Sequence, residues 1–140
     1  MGRFRFLVFY LLCGLAAAAA QVAVSPGSIV PMVGASGAIS GVLGAYLVLY
    51  PRARVNMLLF LFIFIKVISV PAWLMLLVWI GLQLLSGLPQ LSSVGSGGAT
   101  GGVAFWAHIG GFAAGVVLIK LFQNPVLVRA HTAAHGGRLR

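Results

Sequence analysis

Two side chains in this 140-residue chain have the types that nucleophilic catalysis uses: Ser36, within Gly34-Ala35-Ser36-Gly37, and His108, preceded by Ala107. Both lie in apolar stretches, where a polar group facing hydrocarbon is costly unless paired. A neutral imidazole within hydrogen-bond reach of a hydroxyl can take its proton as the oxygen attacks a carbonyl. Other chemistries are closed to this composition. The chain has no Asp and no Glu, so it holds no carboxylate pair, EF-hand loop or triad acid. A single cysteine, Cys13, gives no internal disulfide and no thiolate cluster, and reads as packing. His131 and His135 stand i, i+4, a spacing that suits a metal, but no third ligand accompanies them, so neither metal nor cofactor is expected. Gly95-Ser96-Gly97-Gly98 lacks the lysine of a phosphate loop. The competing reading of Ser36 and His108 is structural. Serines and glycines at helix crossings commonly serve packing, and a single histidine can satisfy a backbone carbonyl. The two residues alone leave both readings open.

The elements that must position them are membrane spans. Apolar residues make up 61% of the chain and charged residues only 6%, against ~25% in a soluble domain. Crossing a hydrocarbon core of ~30 Å takes ~20 apolar residues in a helix. Residues 6–24, 31–50, 67–87 and 103–122 meet that requirement. Residues 55–65, between Arg54 and Lys66, are too few to cross and read as an interfacial or re-entrant piece. Ser25-Pro26-Gly27-Ser28 is a turn signal, and 88–102 is a Gly/Ser-rich loop without charge. The chain divides into a transmembrane domain, 1–126, and a basic tail, 127–140, read as frayed.

The net charge of +9 raises nucleic acid as a partner, but the charges punctuate apolar runs and form no patch, so none is expected. Arg3, Arg5, Arg52, Arg54, Lys66, Lys120, Arg129, Arg138 and Arg140 all fall on or near one face of a four-span topology. That is a positive-inside pattern, which puts both termini in the cytoplasm. Residues 2–21 also have the layout of a signal peptide, but the apolar stretch is longer than a usual h-region, and an uncleaved span is the preferred reading.

Counted from the outer ends at Pro31 and Val103, Ser36 and His108 each lie ~7.5 Å deep. A hydroxyl and an imidazole thus share one level, although the inner ends, at Arg52 and Lys120, agree less well. Gly34-Ala35-Ser36-Gly37, then Ser40, Gly41, Gly44 and Ala45, form a small-residue face at helical spacing, and Ala107, Gly111 and Gly115 form another, with Gly110 and Ala114 beside it. Such faces let transmembrane backbones approach closely. Gly34 and Gly37 leave the backbone near Ser36 uncrowded, as an oxyanion site requires. Gln83 and Asn56 are single polar groups with no assigned partner. Trp73, Trp79, Trp106, Tyr10 and Tyr50 read as interface anchors or core.

Taken together, GASG at 34–37 followed by AISGVLGAY, and AHIGGFAAG at 107–115, closely resemble the rhomboid intramembrane serine proteases. Tyr50-Pro51-Arg52-Ala53-Arg54, Pro71-Ala72-Trp73 and Gly102-Val103-Ala104-Phe105-Trp106 look like the bacterial branch of that family. The resemblance runs to about Phe122. It implies an all-α polytopic membrane bundle whose four helices correspond to the last four of a six-helix core, in a bacterial inner membrane. It implies that Ser36 is the nucleophile and His108 the general base, a dyad without an acid. The implied substrates are transmembrane segments of other membrane proteins, cut near the outer face, with the lipid bilayer as the other partner.

There are two departures. The family's earlier helices carry a His-x-x-x-Asn element that helps bind the oxyanion, and nothing here matches it. That implies a mis-assigned or truncated start at Met1 and a poorly active or inactive chain as written. Many members also place an aromatic four residues after the serine, against the histidine ring. Ser40 stands there instead, which implies a less firmly held ring. The alternative function is a catalytically inactive rhomboid-like protein that binds transmembrane helices. A transporter or channel fragment is a third reading, weakened by the lack of charge inside any span.

Overall fold

The computed structural model describes residues 1–26, 34–61, 64–92 and 104–135. Within them lie α1 (Arg3–Val24), α2 (Ser36–Leu49), the strands β1 (Arg54–Leu61) and β2 (Phe64–Pro71), α3 (Ala72–Ser92), α4 (Phe105–Phe122) and α5 (Pro125–His135). Among the described residues α1, α3 and α4 are long and apolar enough to cross a membrane. The 14 residues of α2 span only ~21 Å at 1.5 Å each. Part of the 25–28 turn, residues 31–33, the loop beyond Ser92 with Gly95–Gly98, and Arg138 and Arg140 lie outside the described residues.

Helix boundaries follow local chemistry. α1 is built from Phe, Leu and Ala and stops at Ser25, before Pro26, since the residue ahead of a proline is pushed out of the helical region. Gly34 has φ of 119°, a left-handed value that ordinary side chains avoid, so α2 begins at Ser36 and not at Pro31 as expected. α2 ends at Leu49, just ahead of Tyr50-Pro51. The stretch after Pro125, expected to be frayed, is helical to His135. Pro125 suits a first helical position, and Asn124 Oδ1 accepts from Val126 N at 3.0 Å and Leu127 N at 3.4 Å, capping α5.

The third span differs from its expected range. Residues 67–71 are not helical. They belong to β2, which pairs antiparallel with β1 from Arg54↔Pro71 to Leu61↔Phe64. Val67, Ile68 and Val70 are β-branched and favour the extended chain. Ala72 N then donates to Ala53 O at 2.7 Å, closing the base of the hairpin where α3 starts. At its other end α3 runs through Pro89 to Ser92, into the stretch expected to be loop. The piece read as interfacial, 55–65, is therefore most of β1 and the start of β2.

The bundle is packed through its smallest residues. Ala17, Ala38, Ala45 and Ala107 are buried, as are Gly37, Gly41, Gly44, Gly111 and Gly115. Large apolar side chains point outward: Phe4, Leu15, Leu85 and Leu121 are all more than half exposed. This is the arrangement expected where lipid, not water, is the outer solvent and tight packing holds the helices together. Among the described residues, the larger buried side chains include Phe112 in the middle of α4 and, toward the basic end, Phe9 and Ile119, which are fully buried; Phe9 meets Phe122 edge-on, with ring centroids 5.7 Å apart.

The contacts set helix directions. Gly37 and Gly41 of α2 sit against Ala17 and Cys13 of α1, so these helices are antiparallel. Gly111 and Gly115 of α4 sit against Gly37 and Gly41, so α2 and α4 are parallel. α3 runs antiparallel to α4, with Trp79 beside Phe112 and Gly87 beside Trp106. Arg3, Arg5, Arg52, Arg54 and Lys120 consequently gather at one end of the bundle. Cys13, fully buried, packs where a Cβ on Gly41 would stand 2.5 Å from its sulfur and 3.0 Å from Gly111 O.

Two glycines separate packing from propensity. Gly41→Val is expected to lower stability in detergent by about 1–3 kcal/mol through overpacking. Gly81→Ala, whose added Cβ meets nothing within 4 Å, is expected to be neutral or to stabilise by up to ~1 kcal/mol. Thermal unfolding of the two variants beside wild type checks this; equal losses would refute the close-packed seam.

Candidate active site

α2 and α4 enter the bundle side by side from the end that carries Val24 of α1. Ser36 opens α2, next to Gly37, which packs on Ala17 and lies 3.4 Å (as a built Cβ) from Ala107 O. His108 lies in the first turns of α4. Ala107 N, one residue before it, donates to Gln21 Oε1 of α1 at 3.2 Å, while Gly110, two residues after it, sits against Ala16 and Ala17. The two turns therefore lie between the levels of Ala17 and Gln21 on α1, roughly 5–10 Å inside its Val24 end at 1.5 Å per residue. Depth counted along α2 alone would put Ser36 at the very start of a helix. α1 supplies the longer ruler.

Ser36 is exposed and His108 is half-buried. Among the described residues no hydrogen bond joins their side chains. The first helical bond of α2 runs from Ile39 N to Ala35 O at 3.0 Å, so the N–H groups of Ser36, Gly37 and Ala38 stand outside its ladder, at the positive end of the helix. Gly34 and Gly37 are the glycines expected near an oxyanion, and Gly111 and Gly115 those expected in close packing. Gly34 turns the chain into α2 with its positive φ. Gly37, Gly111 and Gly115 are buried in helix contacts.

His108 is held from three helices. Its carbonyl accepts from Ser40 Oγ of α2 at 2.5 Å, and Ser40 is 1% exposed. Its turn is tied to α1 by Gln21. Its ring meets α3: Gln83 Oε1 lies 3.1 Å from Nδ1, and the Trp79 ring lies 5.8 Å away, tilted by 43°. The expectation of a loosely held ring is therefore corrected. Ser40 holds the backbone of the histidine turn, and the aromatic neighbour comes from α3. Trp106 Nε1 donates to Gly87 O at 3.1 Å, a second tie between α3 and α4.

Two of these residues, Gln83 and Gln21, are partners of the histidine turn that the amino-acid pattern does not single out. Gln83 has no assigned partner in the sequence, although Trp79, Gln83 and Gly87 recur every fourth residue and so share one helix face. Aligning that face antiparallel to Phe112, His108 and Phe105 would have found the imidazole. Gln21, at the end of the alanine run, had no signal beyond being the one amide in α1. Asn56, the other unassigned polar group, is exposed on β1 across from Ser69.

The chain matches the Rhomboid domain family over residues 1–124. No curated protein and no solved structure matches it. With its apolar helices and that match, the protein is a multi-pass integral membrane protein and belongs to the rhomboid family, whose members are generally intramembrane serine proteases.

Proposed function

We propose that this chain is an intramembrane serine endopeptidase that cuts transmembrane segments near the outer membrane face, with Ser36 as nucleophile and His108 as general base. One observation carries the reading: α2 and α4 run parallel with Gly37 on Ala107 and Gly111, which supports a serine turn and a histidine turn at one depth. Ser36 Oγ attacks the scissile carbonyl carbon while His108 takes its proton. The tetrahedral oxyanion is met by the N–H groups of the first turn of α2 that stand outside the helical ladder. Collapse breaks the C–N bond, the imidazolium protonates the departing amine, and a water activated by the same imidazole hydrolyses the acyl-enzyme. A dyad suffices because an imidazole needs an oriented partner, and a neutral amide can orient it where a carboxylate would be costly in lipid.

The substrate must offer an extended peptide, since a helical carbonyl is closed by its own hydrogen bond. A transmembrane segment that unwinds near the headgroups meets that need. Ser36, exposed at the start of a helix that begins below the end of α1, suits such a segment and the water that hydrolysis consumes. In this reading the basic end of the bundle faces the cytoplasm of a bacterial cell, with residues 1–126 in the inner membrane and 127–140 on its inner side.

A second reading is favoured by one observation, the absence of a Ser36–His108 hydrogen bond among the described residues: a family member that binds transmembrane helices without cutting them. Catalytic hydrogen bonds are often long in unliganded enzymes, so the first reading stands ahead.

Two measurements follow. A fluorophosphonate probe in detergent is expected to label the wild type, not to label Ser36→Ala, and to label His108→Ala at least ~10²-fold more slowly. Labelling of wild type no greater than of Ser36→Ala would leave the binder. For orientation, Cys13→Ala chains carrying Ala130→Cys or Ala35→Cys are treated in intact spheroplasts with a membrane-impermeant maleimide. Ala35→Cys is expected to react directly and Ala130→Cys only after lysis; the reverse would invert the topology.

A further inference from the structure

We infer that Gln83 of α3 is a positioning residue for His108, holding its proton on Nδ1 so that Nε2 is the nitrogen that takes the serine proton. The inference rests on the protease reading above. Gln83 Oε1 lies 3.1 Å from His108 Nδ1, and an amide oxygen can only accept, so the ring proton belongs on Nδ1. The lone pair is then left on Nε2, which has no hydrogen-bond partner among the described residues. Nε2 is the nitrogen available to a hydroxyl.

The surroundings of Gln83 support a dedicated role. Its neighbours Leu82, Leu84 and Leu85 are exposed apolar residues on a membrane span, where a leucine at 83 would be the cheaper choice. Gln83 is only half-buried, and among the described residues its side chain meets the imidazole. Trp79, one turn earlier on the same face, covers the ring from the side, 5.8 Å away. Amide and indole together limit both rotation about the ring bond and the choice of tautomer. The amide thereby fills the orienting place that a carboxylate takes in a Ser-His-Asp triad, in a chain that has no carboxylate side chain.

The test uses the full chain in detergent, with four variants and three readouts, one of them the thermal midpoint. Ring nitrogen NMR of histidine-labelled protein reads the His108 tautomer, assigned by its loss in His108→Ala. Fluorophosphonate labelling reads the nucleophile. Wild type is expected to show the Nδ1–H tautomer. Gln83→Leu, which keeps the volume and removes the acceptor, is expected to lose that preference and to label at least about tenfold more slowly. Gln83→Glu, which restores an acceptor at the same reach, is expected to regain the tautomer and at least about a tenth of the wild-type rate. A purely structural glutamine would lower the thermal midpoint in Gln83→Leu and leave the tautomer alone. An Nε2–H ring in wild type, or a Gln83→Leu chain with unchanged tautomer or unchanged Ser36-dependent labelling, would overturn the role. Equal labelling of wild type and Ser36→Ala would instead overturn the hydrolase reading; the tautomer still reports whether Gln83 holds the ring.

Discussion

The close approach of α2 and α4, backbone against backbone, is the contact on which the rest of this protein depends. Inside lipid, apolar side chains gain little by leaving one hydrocarbon for another, so helices associate through dispersion at short range and through polar bonds. Gly37 and Gly41 meeting Gly111 and Gly115 permit that range. A four-residue repeat on each helix makes the contact a register as well as an attraction, since a slip by one residue would drive a carbonyl into a side chain. Once the register is set, the first turn of α2 and the first turns of α4 lie beside the same stretch of α1. Ser40 Oγ on the His108 carbonyl and Gln21 Oε1 on Ala107 N then tie the turn to both neighbours. Burying Ser40 is tolerable because its hydroxyl is satisfied.

α3 contributes differently. It presents the face of Trp79, Gln83 and Gly87 to α4 and leaves Leu77, Val78, Leu82 and Leu85 outside. The backbone of the histidine turn is thus set by α1 and α2, and its ring by α3. This separation explains how Ser40 can replace a larger residue in α2 without freeing the imidazole. The hairpin β1–β2 joins α2 to the start of α3 at the basic end of the bundle, through Ala72 N on Ala53 O.

Much of this architecture was legible in the residues. The apolar runs around α1 and α4 are long and uninterrupted, and the glycine spacing on α2 and α4 is a local pattern that survives without knowing the fold. Ser36 and His108 stood out because they are polar in such runs, and the rhomboid likeness rested on the same residues. The hairpin was not legible. An apolar run of eleven residues between Arg54 and Lys66 has no period that separates strand from buried helix, and its partner strand was hidden at the front of an apparent span. Val67 to Pro71 looked transmembrane by hydropathy alone, while β-branching and the proline favoured extended backbone. Gln83 needed tertiary information, namely which face of α3 meets α4 and in which direction. The start of α2 turned on a single dihedral at Gly34, which composition does not encode.

The central claim is that Ser36 and His108 come together at one level, and paired cysteines in native membranes test it most directly. In a Cys13→Ala background, Ser36→Cys with His108→Cys is treated with a short bifunctional thiosulfonate, beside Phe9→Cys with Phe122→Cys, whose rings are 5.7 Å apart in the unmodified protein, and Ser36→Cys with Lys120→Cys. The account predicts that the 36/108 pair bridges as readily as 9/122 while 36/120 does not. A 36/108 pair that bridges no faster than 36/120, with 9/122 closing normally, would contradict it.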